Sequence, residues 1–416
     1  MLQKLGNNKF AFYGFFLLIW VFIQLISGNL LCSFNPACKT ADAFSYTESA
    51  YAILNGGYPW FRAVGYPMLL APFLSFLSEN AVIGLFTLFQ TILWLLSIRL
   101  IYNTLKNWGA GNHLSLLGSF LFGTSISALL TTNHLLTETG YNFLMLLSLY
   151  LLSHWLKDKN YKYAGWIFIT LVVSALIRPL GLNFFYASII ILAIGLYRGN
   201  FKLIPYFGLA LILLGSHLFM MKKHHNTTQI CMSKNHALYH YLNMKVSHYP
   251  NMNASSYVHE FFDLSAQLDD SIGEQKFFYS YRDSIYSRRN KAIFTTSKYA
   301  TLKTMYVNFK DEIWTGYSNH RQANLWVYTV TKWQHLLVFI SLVFSSFLFV
   351  IRIIRNQMSW PLRIWLAISL FICTYISLGS SLVFWYGDRL HLPLYPLVIM
   401  ITILLIANPK TKQIEQ

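Results

Sequence analysis

The chain has 416 residues, of which 55% are hydrophobic, 17% aromatic and only 11% charged, with a formal net charge of +17. That much apolar surface exceeds what a soluble domain of this length buries, which excludes a soluble globular protein and points to a polytopic membrane protein. The charge does not indicate nucleic acid, because no nucleic-acid motif is present and much of the excess lies in short loops between apolar runs.

A helix that crosses a bilayer needs roughly 20 apolar residues. Runs at 10–31, 81–101, 114–131, 135–155, 163–177, 181–197, 203–221, 333–351, 363–385 and 392–407 predict an all-α polytopic bundle of about ten transmembrane helices. Residues 1–221 form an N-terminal transmembrane core whose first outer loop is 32–80; 222–330 form a helical extramembrane segment; 331–416 hold the C-terminal transmembrane helices. No small-residue cleavage site follows the first run, so it reads as a retained span. The run 66–78, broken by Pro67 and Pro72, is too short to cross and reads as interfacial or re-entrant.

Lysine and arginine in short loops set the orientation. With the N-terminus inside, the inner loops carry Lys4 and Lys9, Arg99 and Lys106, Lys157 to Lys162, Arg198 and Lys202, Arg352 to Arg363, and Lys410 and Lys412. Of the 15 acids, only Asp158 and Glu415 then lie clearly inside. Both termini are thereby predicted to be cytoplasmic. The segment 222–330 has 13 Lys and Arg against 8 Asp and Glu, but loops of that length do not obey the charge rule, so its external placement follows from the span count. Cys32 and Cys38 stand at the outer end of the first span, where a disulfide is one of two open readings; Cys231 and Cys373 read as unpaired.

The stretch DAFSYTESAYAILNGGYPWFRAVGYPMLLAPF, residues 42–73, brings Asp42, Glu48 and Arg62 together with paired glycines and three prolines. Asp42, Ser45, Ser49 and Ala52 recur at helical spacing, which predicts a short helix ended by Gly56-Gly57. Tyr58-Pro59 and Tyr66-Pro67 then favour extended backbone before each proline.

Further along, TTNHLLTETGYNF places His134 and Glu138 at the outer end of a span. An ionisable residue there is costly and so a functional candidate, although a helix-start glutamate is also favoured by the helix dipole. In IRPLG, Pro179 ends a helix and leaves Arg178 at its mouth; arginine suits a phosphate through bidentate donation, or it snorkels to headgroups. Within 222–330, His236 and His240 have the i, i+4 spacing of a metal pair, but no carboxylate or cysteine completes a set. The run from Phe277 to Trp314 alternates aromatic and basic residues as helices in the headgroup plane do. The last outer loop, FWYGDRLHLPLYP, carries Asp388 and Arg389.

The order of these motifs, Asp42-Ala-Phe-Ser-Tyr, Arg62 followed by GYPMLLAPF, LLTETGYNFLMLLSLYLL, IRPLG and GDRLHLPLYP, resembles the C-type (GT-C) membrane glycosyltransferases. The likeness is to the branch that includes the lipid A aminoarabinose transferase and relatives of the protein O-mannosyltransferases. It covers most of residues 1–200 and the last three spans. It implies a GT-C-like bundle with interfacial helices in the first outer loop, sited in the inner (plasma) membrane of a cell envelope. The implied activity is inverting transfer of a sugar from a polyprenyl-phosphate donor to a lipid (such as lipopolysaccharide), glycan or protein acceptor on the periplasmic or lumenal side. By that resemblance Asp42 is the general base and Glu138 the acid heading the fourth span. Arg62, Arg178 and Arg389 hold the donor phosphate, and Glu48, Tyr66, His134 and Asp388 support them. A divalent metal is left open as cofactor, with no well-formed metal set. The chain has RAVGYP where many relatives have an arginine followed directly by proline and glycine, which leaves the acceptor class open. The rival expectations are a transporter or flippase of lipid-linked sugars, which would place ionisable groups near the midplane, and an O-antigen-type polymerase or ligase.

Overall fold

The structure, a computed structural model, describes residues 8–28, 41–247, 263–264, 266–267, 278–314, 325–381 and 391–407. Every regular element among the described residues is helical. Helix α1 (Lys9–Ile26) starts at Asn8, whose side chain accepts from the Ala11 amide at 3.2 Å. Helix α2 (Ala41–Leu54) ends at the paired glycines, where Gly56 takes a left-handed φ of +77° that glycine adopts without a Cβ clash. A loop with no helix leads to α3 (Gly65–Leu74), and Ser78 then caps α4 (Glu79–Asn107).

Helices α5 (Asn112–Gly123) and α6 (Ile126–Leu130) are followed by α7 (Glu138–Asp158) and α8 (Tyr161–Ile177). Next come α9 (Gly181–Ala187), α10 (Ile189–Tyr197) and α11 (Ile204–His225). The segment after α11 contributes α12 (Ser233–Leu238), α13 (Met244–Ser247), α14 (Phe278–Thr296) and α15 (Lys298–Ile313). The chain returns as α16 (Leu325–Ile354), α17 (Trp360–Ser380) and α18 (Leu394–Ala407).

The chain is a helical membrane-type protein, but the span count differs from the ten expected. Among the described residues five helices are long and apolar enough to cross: Lys9–Ile26, Glu79–Asn107, Phe201–His225, Leu325–Ile354 and Trp360–Ser380. A sixth, over the expected 114–131, is bent by 60° at the break between Asn112–Gly123 and Ile126–Asn133. The remaining runs fall short for identifiable reasons. Tyr161–Ile177 and Leu394–Ala407 are short apolar helices, and Gly181–Tyr197 is interrupted where Ser188 turns back to bond the Phe185 carbonyl. Glu138–Asp158 has the length, but its buried Glu138, Thr139, Asn142, Ser148 and Ser153 lower its hydropathy. A helix enclosed by other helices need not be apolar on every face, and one that does not meet lipid need not match the bilayer thickness.

Burial separates central from peripheral helices. Short α18 is central, with Leu394, Tyr395, Leu397, Val398, Met400 and Ile401 all under 3% exposed. Long α16 shows most of its apolar surface outward, through Val343, Phe347 and Ile354. Lipid removes the apolar driving force between spans, so close packing and interhelical hydrogen bonds carry the association. One such bond runs from Trp365 Nε1 on α17 to the Leu149 carbonyl on α7 at 3.0 Å. A separate apolar cluster of Ala43, Tyr46, Ala50, Tyr66, Leu70, Leu74, Val82, Phe86 and Leu135 fastens α2 and α3 onto α4. That cluster puts the start of α2 beside the start of α7.

Candidate active site

Two acids and two arginines meet around one tyrosine at the end of the bundle where α7 begins and α8 finishes. Asp42 occupies the first turn of α2, where the helix dipole favours a carboxylate. Arg62, on the loop between α2 and α3, donates through Nη2 to Asp42 Oδ1 and through Nε to Ser45 Oγ at 2.6 Å. Its guanidinium lies 4.9 Å from the Tyr46 ring centroid and 5.1 Å from that of Phe61. The face predicted for α2 is thus the face Arg62 binds.

The second pair is Glu138, in the first turn of α7 and 2% exposed, and Arg178, which caps the end of α8. Arg178 Nη1 stands 3.8 Å from Glu138 Oε1, close enough for charge attraction but too far for a hydrogen bond. Its guanidinium also lies over Tyr141, 5.8 Å from the ring centroid.

Tyr46 joins the two pairs. Its hydroxyl is 3.2 Å from Thr137 Oγ1, next in sequence to Glu138, while its ring lies under Arg62. Burial raises the pKa of the Tyr46 hydroxyl; Arg62 pulls it back, and Glu138 and Asp42 raise it further, so the phenol feels both pairs. Tyr66 meets the Tyr46 ring edge-on at 5.1 Å.

The main chain binds the two arginine corners together. A Cβ built on Gly65 would lie 2.8 Å from the Leu176 carbonyl oxygen, so the start of α3 rests directly on the end of α8. Only glycine permits that approach.

Three donors around these pairs lack hydrogen-bond partners among the described residues: Tyr66 Oη, Tyr141 Oη and Arg178 Nη1. Tyr66 is 3% exposed and Tyr141 is fully buried. Each such orphan costs about 1–3 kcal/mol in a closed protein, which marks the place as one that a polar ligand or ordered water completes.

The segment from the end of α11 through α14 covers the loop that carries Arg62. The Met232 amide donates to the Trp60 carbonyl at 2.9 Å, and His225 Nε2 donates to the Tyr58 carbonyl at 2.8 Å. Trp60 stacks on Tyr279 with centroids 3.9 Å apart, and Arg282 lies 5.1 Å from the Trp60 ring centroid. His217 Nε2 must donate to the Ile230 carbonyl at 2.8 Å, so in the neutral ring Nδ1 accepts from the Tyr58 hydroxyl at 2.7 Å. Tyr58 and Trp60 therefore act as anchors for the Arg62 loop. The sequence gives Tyr58 a backbone role before Pro59 and leaves Trp60 and Tyr46 without one, although the aromatic run around Pro59 is a legible signal of anchoring.

Of the other expected site residues, His134 is buried, and its carbonyl accepts from Gln90 Nε2 at 2.9 Å, which fixes the approach to α7. Glu48 is exposed on α2 and stands outside the cluster. Asp388 and Arg389, and the cysteines Cys32 and Cys38, lie outside the described residues. His236 faces Arg282 and Arg62, and His240 faces Lys245; burial and these cations lower both pKa values to about 4. No group of three or more His, Cys, Asp or Glu able to hold a metal occurs among the described residues.

Neither of two large cavities touches this cluster. One, of about 580 Å³, is an apolar groove between α7 and α17; the other, of about 640 Å³, is a shallow cleft lined by Arg99, Tyr102, Lys106 and His154. Comparison of the chain with protein-family models, with curated proteins and with solved structures finds no match.

Proposed function

We propose that the chain is an integral-membrane glycosyltransferase of the GT-C kind, which moves a sugar from a polyprenyl-phosphate donor to a hydroxyl-bearing lipid, glycan or protein acceptor on the extracytoplasmic side. The observation that carries this reading is the convergence of Asp42–Arg62 and Glu138–Arg178 beside Tyr46, next to buried donors that lack hydrogen-bond partners among the described residues.

In the proposed reaction Asp42 takes the proton of the acceptor hydroxyl, whose oxygen attacks the anomeric carbon from the face opposite the phosphate. The new carbon–oxygen bond forms as the sugar–phosphate bond breaks, and the bonding pair leaves with the polyprenyl phosphate. Configuration inverts. Arg62 and Arg178 stabilise the charge that grows on the departing phosphate, the term that usually contributes most to such catalysis. Tyr66 and Tyr141 supply hydroxyl donors to the same anion or to the sugar. Glu138 holds Arg178 in place and orients the acceptor.

The test is transfer of radiolabelled sugar from polyprenyl phosphate to an envelope extract by the full chain in vesicles, with product mass recorded. Asp42→Asn is expected to lower transfer about 10²–10⁴-fold, the usual contribution of a general base. Absence of transfer, or an Asp42→Asn protein as active as the parent, rejects the reading. The 60° break between α5 and α6 favours a second reading, transport of a lipid-linked sugar, because discontinuous helices are a common feature of transporters. That reading predicts movement of intact donor across the vesicle membrane with no change of product mass.

A further inference from the structure

The apolar groove runs along the half of α7 remote from Glu138. Its walls come from α7 (Met145 to Lys159), α8 (Ile167, Leu171), the broken pair α9 and α10, and the first half of α17. In its depth the polar lining is nearly spent. Ser148 Oγ bonds the Leu144 carbonyl at 2.9 Å and Thr170 at 2.8 Å, and Ser188 Oγ bonds the Phe185 carbonyl at 2.6 Å. Those walls therefore offer a guest apolar contact rather than hydrogen bonds.

The mouth is the opposite in character. Lys159 and Arg198 line it, both exposed, and no acid among the described residues lines the groove. Asp158, beside Lys159, instead lies 3.1 Å from His154. Trp360 and Pro361, the first residues of the 21-residue helix α17, line the same cavity, so the positive end of that helix dipole also faces it. Trp360 is 70% exposed, as a tryptophan at headgroup depth would be.

Lys159 is unusual in itself. Of three non-glycine residues with positive φ among the described residues, two are asparagines, which tolerate the left-handed region; the third is Lys159, with φ of +53°. Glycine or asparagine ordinarily ends a helix in this conformation, so the lysine here is held against backbone preference and its charge is what it adds.

We propose that this groove is a binding site for one anionic phospholipid from the leaflet at the α7 C-terminal end, with a chain in the groove and the phosphate at Lys159, Arg198 and the α17 N-terminus. Dimensions agree. From Met145 to Lys159 the α7 wall rises about 21 Å, enough for a chain that spans one leaflet of a roughly 30 Å core. The volume of about 580 Å³ falls in the range of about 300–1,000 Å³ typical of ligand pockets. The site is separate from the acid–arginine cluster and does not rest on the transfer reading.

Full-length protein in mixed phosphatidylglycerol and phosphatidylcholine vesicles, extracted gently and weighed by native mass spectrometry, tests this. The parent is expected to retain one phosphatidylglycerol in preference to phosphatidylcholine. The double variant Lys159→Glu, Arg198→Glu should lose at least about 30-fold in that preference, counting the contribution of two basic residues near a surface. Lys159→Gly, which suits the backbone and so preserves the fold, should lose about 5-fold by the same count. The exposed Arg355→Glu, outside the groove, should change nothing. Equal retention of both lipids by the parent, or undiminished preference in either groove variant, overturns the proposal.

Discussion

The two acid–arginine pairs are built from the same chemistry and behave differently because of where their partners come from. Asp42 and Arg62 are 20 residues apart, part-exposed and directly hydrogen-bonded, with Ser45 as a second acceptor. Glu138 and Arg178 are delivered by two different helices, with the Glu138 side chain 3% exposed against 12% for Asp42, and stand 3.8 Å apart. Local sequence builds the first pair; helix packing builds the second and holds it slightly open. A closed pair orients its carboxylate for proton transfer, whereas an open, buried pair has attraction left over for an incoming anion.

Removing one partner from each pair breaks or sustains that contrast. The largest effect on stability is expected for Arg178→Gln, which removes the guanidinium 3.8 Å from a buried carboxylate and should cost about 3–5 kcal/mol. Thermal unfolding in detergent measures it, and an Arg178→Gln protein as stable as the parent would erase the distinction. Next comes Gly65→Ala, whose new methyl would meet the Leu176 carbonyl at 2.8 Å. Forcing those two backbones apart should cost about 1–3 kcal/mol by the same measurement, with both pairs disturbed together. Asp42→Asn should cost only about 1 kcal/mol, since the amide oxygen still accepts from Arg62 and Arg62 keeps its bond to Ser45. A loss as large as that of Arg178→Gln would show the two pairs to be alike.

The smallest effect concerns the cover over the Arg62 side. His236 and His240 are held near pKa 4 when folded, against 6.5 for an ordinary imidazole. A depressed histidine contributes stability that is complete above about pH 6.5 and is lost as pH falls towards about 4, because only the unfolded chain takes up the proton. Limited proteolysis should therefore cut the segment around α12 to α14 faster at about pH 5 than at about pH 7. Unchanged cleavage would count against those histidines as part of the cover.

Much of this was legible in the chain itself. Helical spacing found the Asp42 face of α2, Gly56-Gly57 marked its end, and Arg178-Pro179 marked the end of α8. Pairing was not legible, because whether Glu138 meets Arg178 or another cation depends on how α7 and α8 lie against each other. Tyr46 was passed over because an aromatic on an amphipathic face reads as core, which it also is. The ten expected spans and the five long apolar helices differ for a related reason: a test of length and hydropathy assumes that lipid surrounds each helix, and α7 and α18 are surrounded mainly by protein.

The contact at Gly65 has a mechanical corollary. Peptide group rests on peptide group there, with no rotamer between them to absorb a displacement. The corners bearing Arg62 and Arg178 consequently travel as the two teeth of one jaw, at a spacing set by backbone van der Waals contact. A guest that fits between them is gripped without rearrangement, while one that is too wide must lever α3 off α8.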